Sequence, residues 1–217
     1  MKIIAFDGSP RKNSNSAMML KAFIKKLEEG DEIKYYKTDD LDLQPCRGCV
    51  MCNALKSCII RKDYWQVLSK EILEADVLAF SSPIYFHHTT SSMKKLIDRF
   101  RSFINVQITE DGIIHRPHEN WSKKFFLFTA HGSSSTEDAQ PLVDLFNFII
   151  ESLGDGNELK YINAVRLAAS GQIRFNEERL KQIYGKLGLP ENLASEDLKK
   201  NEEWLKTAEH FAEELYV

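Results

Sequence analysis

Short apolar runs alternate along this chain with stripes of amphipathic helix, and that alternation restricts the fold more than any other feature. Lys2 to Phe6, Glu32 to Tyr36, Val77 to Phe80, Phe125 to Phe128 and Tyr161 to Leu167 read as strands, rich in β-branched and aromatic residues. Between the first two, Leu20, Phe23, Ile24 and Leu27 recur at i, i+3, i+4 and i+7, the period of one helix face. Met93, Leu96, Ile97, Phe100 and Ile104 mark another helix, and Leu142, Leu145, Phe146, Ile149, Ile150 and Leu153 form the clearest stripe. Gly30 is positioned to stop the first helix, and Asp63 to cap one from Tyr64 to about Ala75. Residues 107–122 keep no period and read as an inserted loop or short hairpin. Helical stretches at 176–188 and 196–216, split by Gly188 and Pro190, end the sequence.

Strands separated by helices predict the α/β class, with a doubly wound, five-stranded parallel sheet and additional C-terminal helices. The 217 residues then make one enlarged domain, with a core at 1–167 and a helical extension at 176–217. Ligands of such sheets lie outside the carboxyl ends of the strands, where strand order reverses. The chemistry is therefore expected in loops 8–16, 81–91 and 129–137.

Composition removes several classes. Lys and Arg total 29 against 32 Asp and Glu, a formal charge of −3. A domain that neutralises many phosphates carries a basic excess, so no nucleic-acid partner is expected. No apolar run approaches the roughly 18–20 residues of a spanning helix. The segment MKIIAFDGSP meets Asp7 and Gly8 too early for a secretory signal. The expectation is a cytoplasmic protein without a membrane partner. Its four cysteines, Cys46, Cys49, Cys52 and Cys58, all fall in one short window, which points to a shared task rather than scattered buried thiols. A reducing compartment and a chain able to build its own core argue against a disulfide framework.

The loop GSPRKNSNS at 8–16 joins a strand to a helix. A helix start offers unpaired backbone N–H groups and the positive end of the macrodipole, which suits a phosphate. Ser9, Ser14 and Ser16 add hydroxyl donors, Asn13 and Asn15 amide donors, and Arg11 and Lys12 positive charge. The dinucleotide fingerprint and the nucleoside-triphosphate loop are both absent, so a phosphate monoester on another cofactor fits better. A well-capped helix behind a hydrophilic turn is the plainer alternative. GSPRKNSNS resembles the FMN-phosphate loop of the NAD(P)H-dependent FMN reductase family, whose fold is flavodoxin-like. SSPIYFHHTTSSMKKLIDR at 81–99 resembles that family's second flavin loop and the helix after it. Over roughly the first 165 residues the order and spacing of elements agree.

The resemblance implies that FMN is the cofactor, that Pro83, Ile84, Tyr85 and Phe86 flank its ring, and that Thr129, His131 and Gly132 line the third loop. Phe86 could equally join the core. His87 stands where relatives carry a small residue, and with His88 it reads as an exposed polar pair or as an imidazole beside the ring. Lys94, Asp98 and Arg99 read as structural or surface ion pairs.

The cysteine spacing is C-x2-C-x2-C-x5-C, a compact run of the kind that holds iron–sulfur cubanes, with a longer last gap. Zinc favours two well-separated knuckles. The pattern resembles that of the iron–sulfur flavoproteins, a branch of the same family. Arg47, Lys56, Arg61 and Lys62 lie nearby in sequence and could offset the charge of thiolates. A bound [4Fe–4S] cluster, cluster-free thiols and zinc all stay open.

By this resemblance the chain is an FMN-dependent oxidoreductase taking electrons from NAD(P)H. No side chain is singled out as a catalytic acid or base, because the cofactor carries that chemistry. A ferredoxin-like protein is the expected acceptor if a cluster is present. Without one, the acceptor would be a small molecule such as a quinone, a flavin or a nitroaromatic. A non-enzymatic flavodoxin-like carrier and a metal-stabilised interaction module are the competing classes. A homodimer or homotetramer is expected, with the 107–122 insertion and the terminal helices available to pack on another subunit.

Overall fold

The computed structural model describes residues 1–217 throughout. In chain order its elements are β1 (Lys2–Asp7), α1 (Asn15–Lys25), β2 (Glu32–Lys37), α2 (Cys52–Leu55), α3 (Trp65–Glu74), β3 (Val77–Pro83) and α4 (Ser91–Arg99). There follow β4 (Ile104–Thr109), β5 (Gly112–Pro117), β6 (Lys124–Ala130), α5 (Gln140–Leu153), β7 (Glu158–Ala164), α6 (Glu177–Leu187) and α7 (Leu193–Glu213). Five parallel strands form one sheet in the order β2-β1-β3-β6-β7. That is the doubly wound, flavodoxin-like α/β arrangement, and its order reverses between β1 and β3. No helix is long and apolar enough to cross a membrane.

The central strands are apolar at nearly every position because both sheet faces are covered. Alternation then sorts their side chains. Ile4, Phe6, Leu78, Phe80, Phe125 and Leu127 point to one face, under Trp65 of α3, Leu96 of α4 and Phe146 of α5. Ile3, Ala5, Val77, Ala79, Phe126 and Phe128 point to the other, under Phe23 of α1 and Ala208 and Ala212 of α7. Phe80 is fully enclosed and meets Phe146 edge-on, with ring centroids 4.9 Å apart. Burying a ring of this size stabilises by about 1.5–3 kcal/mol.

α7 lies along α1, and its buried alanines let the two approach the sheet closely. The expected C-terminal extension thus supplies half of one covering layer. It is anchored by a buried ion pair between Asp197 of α7 and Arg166, a residue just after β7 held at φ 53°. Tyr184 of α6 donates to the same carboxylate at 2.5 Å.

Several boundaries move for physical reasons. α1 stops at Lys25, ahead of Gly30, which sits in the turn into β2. β7 begins at Glu158 and ends at Ala164, since Val165 to Leu167 turn away, and the Arg166 and Leu167 amides bond Ser133 and His131 carbonyls. The stripe through Phe100 leaves α4 by a 3₁₀ turn, so Ile104 opens β4 instead of extending the helix. The aperiodic segment is a hairpin: β4 pairs antiparallel with β5, Ile108 opposite Ile113. Asp63 does accept from the Trp65 amide at 3.3 Å, but its main partner is Arg99. α7 starts three residues before the expected position.

Candidate functional site

Two constellations stand at the carboxyl end of the sheet or beside it. The first is where the loops after β1, β3 and β6 converge: one small cavity is lined by Ser9, Arg11, Ser14, Pro83 and Ala130, with Leu167 and Ser170 from the segment after β7. Ser14 caps α1, its hydroxyl accepting from the Ala17 amide at 3.5 Å. The amides of Gly8, Ser9 and Arg11 are bonded to Ser81 O, Asp7 Oδ1 and Ser9 Oγ. From Lys12 to Ser16, by contrast, five successive backbone N–H groups have no acceptor in the protein. Those of Ser14, Asn15 and Ser16 are the orphan donors of a helix start, those of Lys12 and Asn13 belong to the exposed turn before it, and an anion is the natural partner of such a run.

The polar side chains of the loop mostly serve the loop itself. Asn15 donates to Leu167 O and Ala169 O, at 3.2 and 2.9 Å, and accepts from the Ile173 amide. Its amide group, expected to face a cofactor, is committed to tying α1 to the segment after β7. Ser9 Oγ accepts from the Arg11 amide, and Ser16 Oγ shares a hydrogen with Ser14 Oγ at 2.9 Å. Arg11, Lys12 and Asn13 are exposed, with Arg11 Nη1 resting on Ala168 O at 3.1 Å. Charge at the mouth and bare backbone amides beneath it are what this loop offers a ligand. Thr90, the cap of α4, donates to Gly8 O at 2.6 Å and so fastens the second loop to the first.

The second loop is a tight turn. Tyr85 and His88 exchange both backbone bonds, at 2.8 and 3.0 Å, with Phe86 and His87 between them at φ 49° and 61°. Both central residues of such a turn need positive φ, which side chains other than glycine adopt reluctantly. Phe86 is completely exposed, so its reading as a core residue does not hold. His87 is exposed and 3.8 Å from Asp138. Pro83 and Ile84 are half-buried, and the Ile84 amide bonds Ala130 O.

In the third loop, the Thr129 hydroxyl donates to Asn163 Oδ1 at 2.8 Å and to Ile162 O, so it faces β7 rather than the loop mouth. His131 is different. It is 7% exposed, and neither ring nitrogen has a partner. Burial pushes its pKa below the usual imidazole value, with Asp138 pulling weakly the other way. A buried imidazole with neither nitrogen bonded is unusual, because buried polar groups are nearly always hydrogen-bonded. Gly132 is exposed, and a Cβ there would come 3.3 Å from the Ala168 side chain, so a glycine suits this close approach.

The second constellation is the cysteine segment, which lies between β2 and α3. All four thiols line one cavity of about 180 Å³, closed on its far side by Arg99, Arg101 and Ser102. Positive φ at Gly48, Val50 and Lys56 bends the segment around it. For β-branched Val50, at 58°, such a backbone costs on the order of 1–3 kcal/mol, strain that tends to accompany function. Cys52 is buried at the start of α2, Cys46 and Cys58 are half-buried, and Cys49 is exposed. No three His, Cys, Asp or Glu side chains gather closely enough to hold a single metal ion.

Two guanidiniums touch sulfur. Arg99 Nη2 donates to Cys58 Sγ at 3.3 Å, and Arg101 Nη1 to Cys52 Sγ at 3.2 Å. Burial raises the Cys52 pKa, and the charge of Arg101 opposes that rise. Of the cations read from the sequence, Arg47 reaches the cavity wall but bonds Gln44, and Arg61 bonds Gln66 and Ser57. Lys56 and Lys62 are exposed. Sequence reasoning missed Arg101 altogether. It read Arg99 as a structural ion pair, which it is, without its contact to Cys58. Lys94 and Asp98 form the expected i,i+4 surface pair, at 2.5 Å.

Comparison with known proteins adds to this geometry. A family described as NADPH-dependent FMN reductase matches residues 1–154. An iron–sulfur flavoprotein of Methanocaldococcus jannaschii is 36% identical over 102 residues, 46% of this chain and 52% of that protein. The chain thus spans about half the length of the curated relatives it matches. An NAD(P)H:quinone oxidoreductase from Methanothermobacter marburgensis superposes with a TM-score of 0.64 at 15% identity, covering 100% of this chain and 98% of that one. An FMN-dependent NADH-azoreductase of Bacillus anthracis, solved with FMN, gives 0.58 at 14% identity, covering 99% and 98%. At these identities the two structures speak for the fold alone.

Proposed function

The chain belongs to the NADPH-dependent FMN reductase family, and from that premise we propose that it is an oxidoreductase that binds FMN, takes electrons from NAD(P)H and passes them on through an iron–sulfur cluster. The observation that carries the FMN reading is the run of five unpartnered backbone N–H groups, Lys12 to Ser16, at the sheet's switch point. Those amides would hold the phosphate, with Arg11 and Lys12 supplying charge at the mouth. Pro83 to Phe86 would flank the ring, and the bare ring nitrogens of His131 offer it a hydrogen bond. When bound, FMN supplies the redox chemistry, accepting hydride from a reduced nicotinamide and releasing electrons singly or in pairs. The protein's part is to fix that ring, exclude water beneath it and keep His131 neutral through burial.

Four thiols around one cavity, with no other ligand type among them, support a cluster at Cys46, Cys49, Cys52 and Cys58. Zinc is the other occupant that four thiolates can take, and the compact C-x2-C-x2-C spacing favours the cluster over it. A cube of iron and sulfide is several ångströms across, and its ligands stand apart. Such a group would supply one-electron transfer, which favours a ferredoxin-like acceptor over a small molecule. The fully exposed Phe86 at the rim supports a partner surface there, and a homodimer or homotetramer is the assembly we propose.

Anaerobic purification followed by an absorption spectrum and iron and sulfide analysis tests both cofactors at once. Flavin bands with about four irons and four sulfides per chain are expected. Flavin without iron removes the cluster and moves the acceptor to a quinone, a free flavin or a nitroaromatic. No flavin removes the proposal. Steady oxidation of NAD(P)H with an added acceptor separates an enzyme from a passive carrier.

A further inference from the structure

We infer that Arg101 sets how readily the cysteine cavity accepts an electron, an inference that rests on the iron–sulfur reading above. Arg99 at the end of α4 and Arg101 in the 3₁₀ turn after it both reach sulfur, but they are not equivalent. The side chain of Arg99 is closed off from solvent and paired with Asp63, whose carboxylate cancels its charge where it stands. Arg99 Nη1 also donates to Gln44 O at 2.8 Å. Its contact with Cys58 therefore brings a hydrogen bond with little net charge.

Arg101 pairs with no carboxylate. Besides Cys52 Sγ, its partners are Ile104 O at 2.7 Å and Asn53 Oδ1 at 2.9 Å, both neutral. These two bonds hold the guanidinium fork against the buried sulfur, half-sheltered from water, so its charge is screened less than a surface charge would be. Of the two cations that touch sulfur, only Arg101 leaves its charge uncancelled.

The consequence follows from charge balance. A four-iron, four-sulfide cube with four thiolate ligands carries a net charge of −2, and −3 once it has gained one electron. One hydride from a reduced nicotinamide carries two electrons, so by way of the flavin it would reduce two such cubes by one electron each, with one proton released. A fixed positive charge bonded to a ligand sulfur favours the more negative state, and hydrogen bonds to sulfur are among the levers that tune such potentials. Arg101 thus raises the potential of the site, and Arg99 mainly holds its wall in place. Arg101 is a positioning residue, acting through Cys52.

The test uses anaerobically purified protein, with iron and sulfide assayed on every sample. Each sample is titrated electrochemically while the low-temperature EPR signal of the reduced site is followed. Arg101→Gln is expected to keep its iron and to need a more negative potential. The expected shift is a tenfold change in the reduced-to-oxidised ratio, about 59 mV for one electron. Arg101→Lys, which keeps the charge and loses the fork, is expected to shift less. Arg101→Gln with full iron and an unmoved potential overturns the inference and leaves the iron–sulfur reading standing. Wild-type protein with flavin but no stoichiometric iron overturns both. Should Arg101→Gln lose its iron, Arg101→Met decides, because it fills similar space without the charge. A loaded Arg101→Met protein shifted to more negative potential supports the inference, an unshifted one overturns it, and loss of iron from both variants overturns it too, since Arg101 then holds the site instead of tuning it.

Discussion

The phosphate-type loop and the cysteine cavity are built in opposite ways. The loop draws its donors locally: nine consecutive residues supply its charge and its free amides, while Arg11 and Asn15 tie it to the segment after β7. The cavity is assembled across the chain, with thiols from 46–58 and guanidiniums from 99 and 101. A local site can be damaged at one residue without disturbing its neighbour. A composite site depends on a buried ion pair that belongs to neither segment alone. Variants in each should therefore dissociate the two functions.

Asp63→Asn carries the largest expected effect. It leaves Arg99 charged and buried without its partner, which costs about 3–5 kcal/mol when a buried pair is broken on one side. A lower urea midpoint is expected, together with loss of iron from folded protein, while FMN affinity stays near that of the wild type. An FMN affinity that falls in step with iron would break the separation of the two sites. The same pair has a pH signature. Burial works to raise the Asp63 pKa, but Arg99 and the Gln44 amide hold it below the usual carboxylate value. A depressed folded pKa makes its contribution complete above about pH 4 and lost as the pH falls through the folded value. Acid unfolding followed by circular dichroism should accordingly be steeper in the wild type than in Asp63→Asn below that pH.

Gly8→Ala is the matching insult to the first site. A Cβ would stand 2.8 Å from Met93 Cε and 3.0 Å from the Ser81 carbonyl. The flexible methionine end can move, but the strand carbonyl cannot, so about 1–3 kcal/mol of overpacking is expected. Flavin content should fall while iron content holds. Arg11→Ala should be gentler. Removing the exposed guanidinium leaves the fold nearly unchanged, and the FMN dissociation constant measured by fluorescence is expected to rise about tenfold, the low end for a charge-assisted contact. Lys94→Ala is the control. Its surface pair with Asp98 is worth no more than about 0.5 kcal/mol, and neither cofactor should respond.

The same contrast explains what could be read from the residues alone. The strands, their alternation with helices and the GSPRKNSNS loop were legible because apolar runs, 3.6-residue patterns and a strand–loop–helix junction are local signals. The cysteine spacing was legible for the same reason. Arg101 was not, since nothing in RFRSF marks a side chain that will turn back 49 residues to meet Cys52. The side-chain partners of Asn15 and Thr129 were illegible in a related way. Each is a polar residue in the right loop, and each proves to be bonded to the segment around 162–173. His131 could be suspected from its loop but not from its environment, because only the packing of its neighbours leaves both ring nitrogens bare.

The anchoring of α1 has a bearing on how the protein is made. Asn15 needs Leu167, Ala169 and Ile173 as partners, and α1 needs the alanines of α7 to close its face. A chain emerging from the ribosome at roughly 5–20 residues per second therefore carries the free amides of this loop long before they are braced. Stable loading with flavin should wait until residues beyond Ala212 are free to fold back. A nascent chain stalled before α7 would be expected to leave the cofactor in solution.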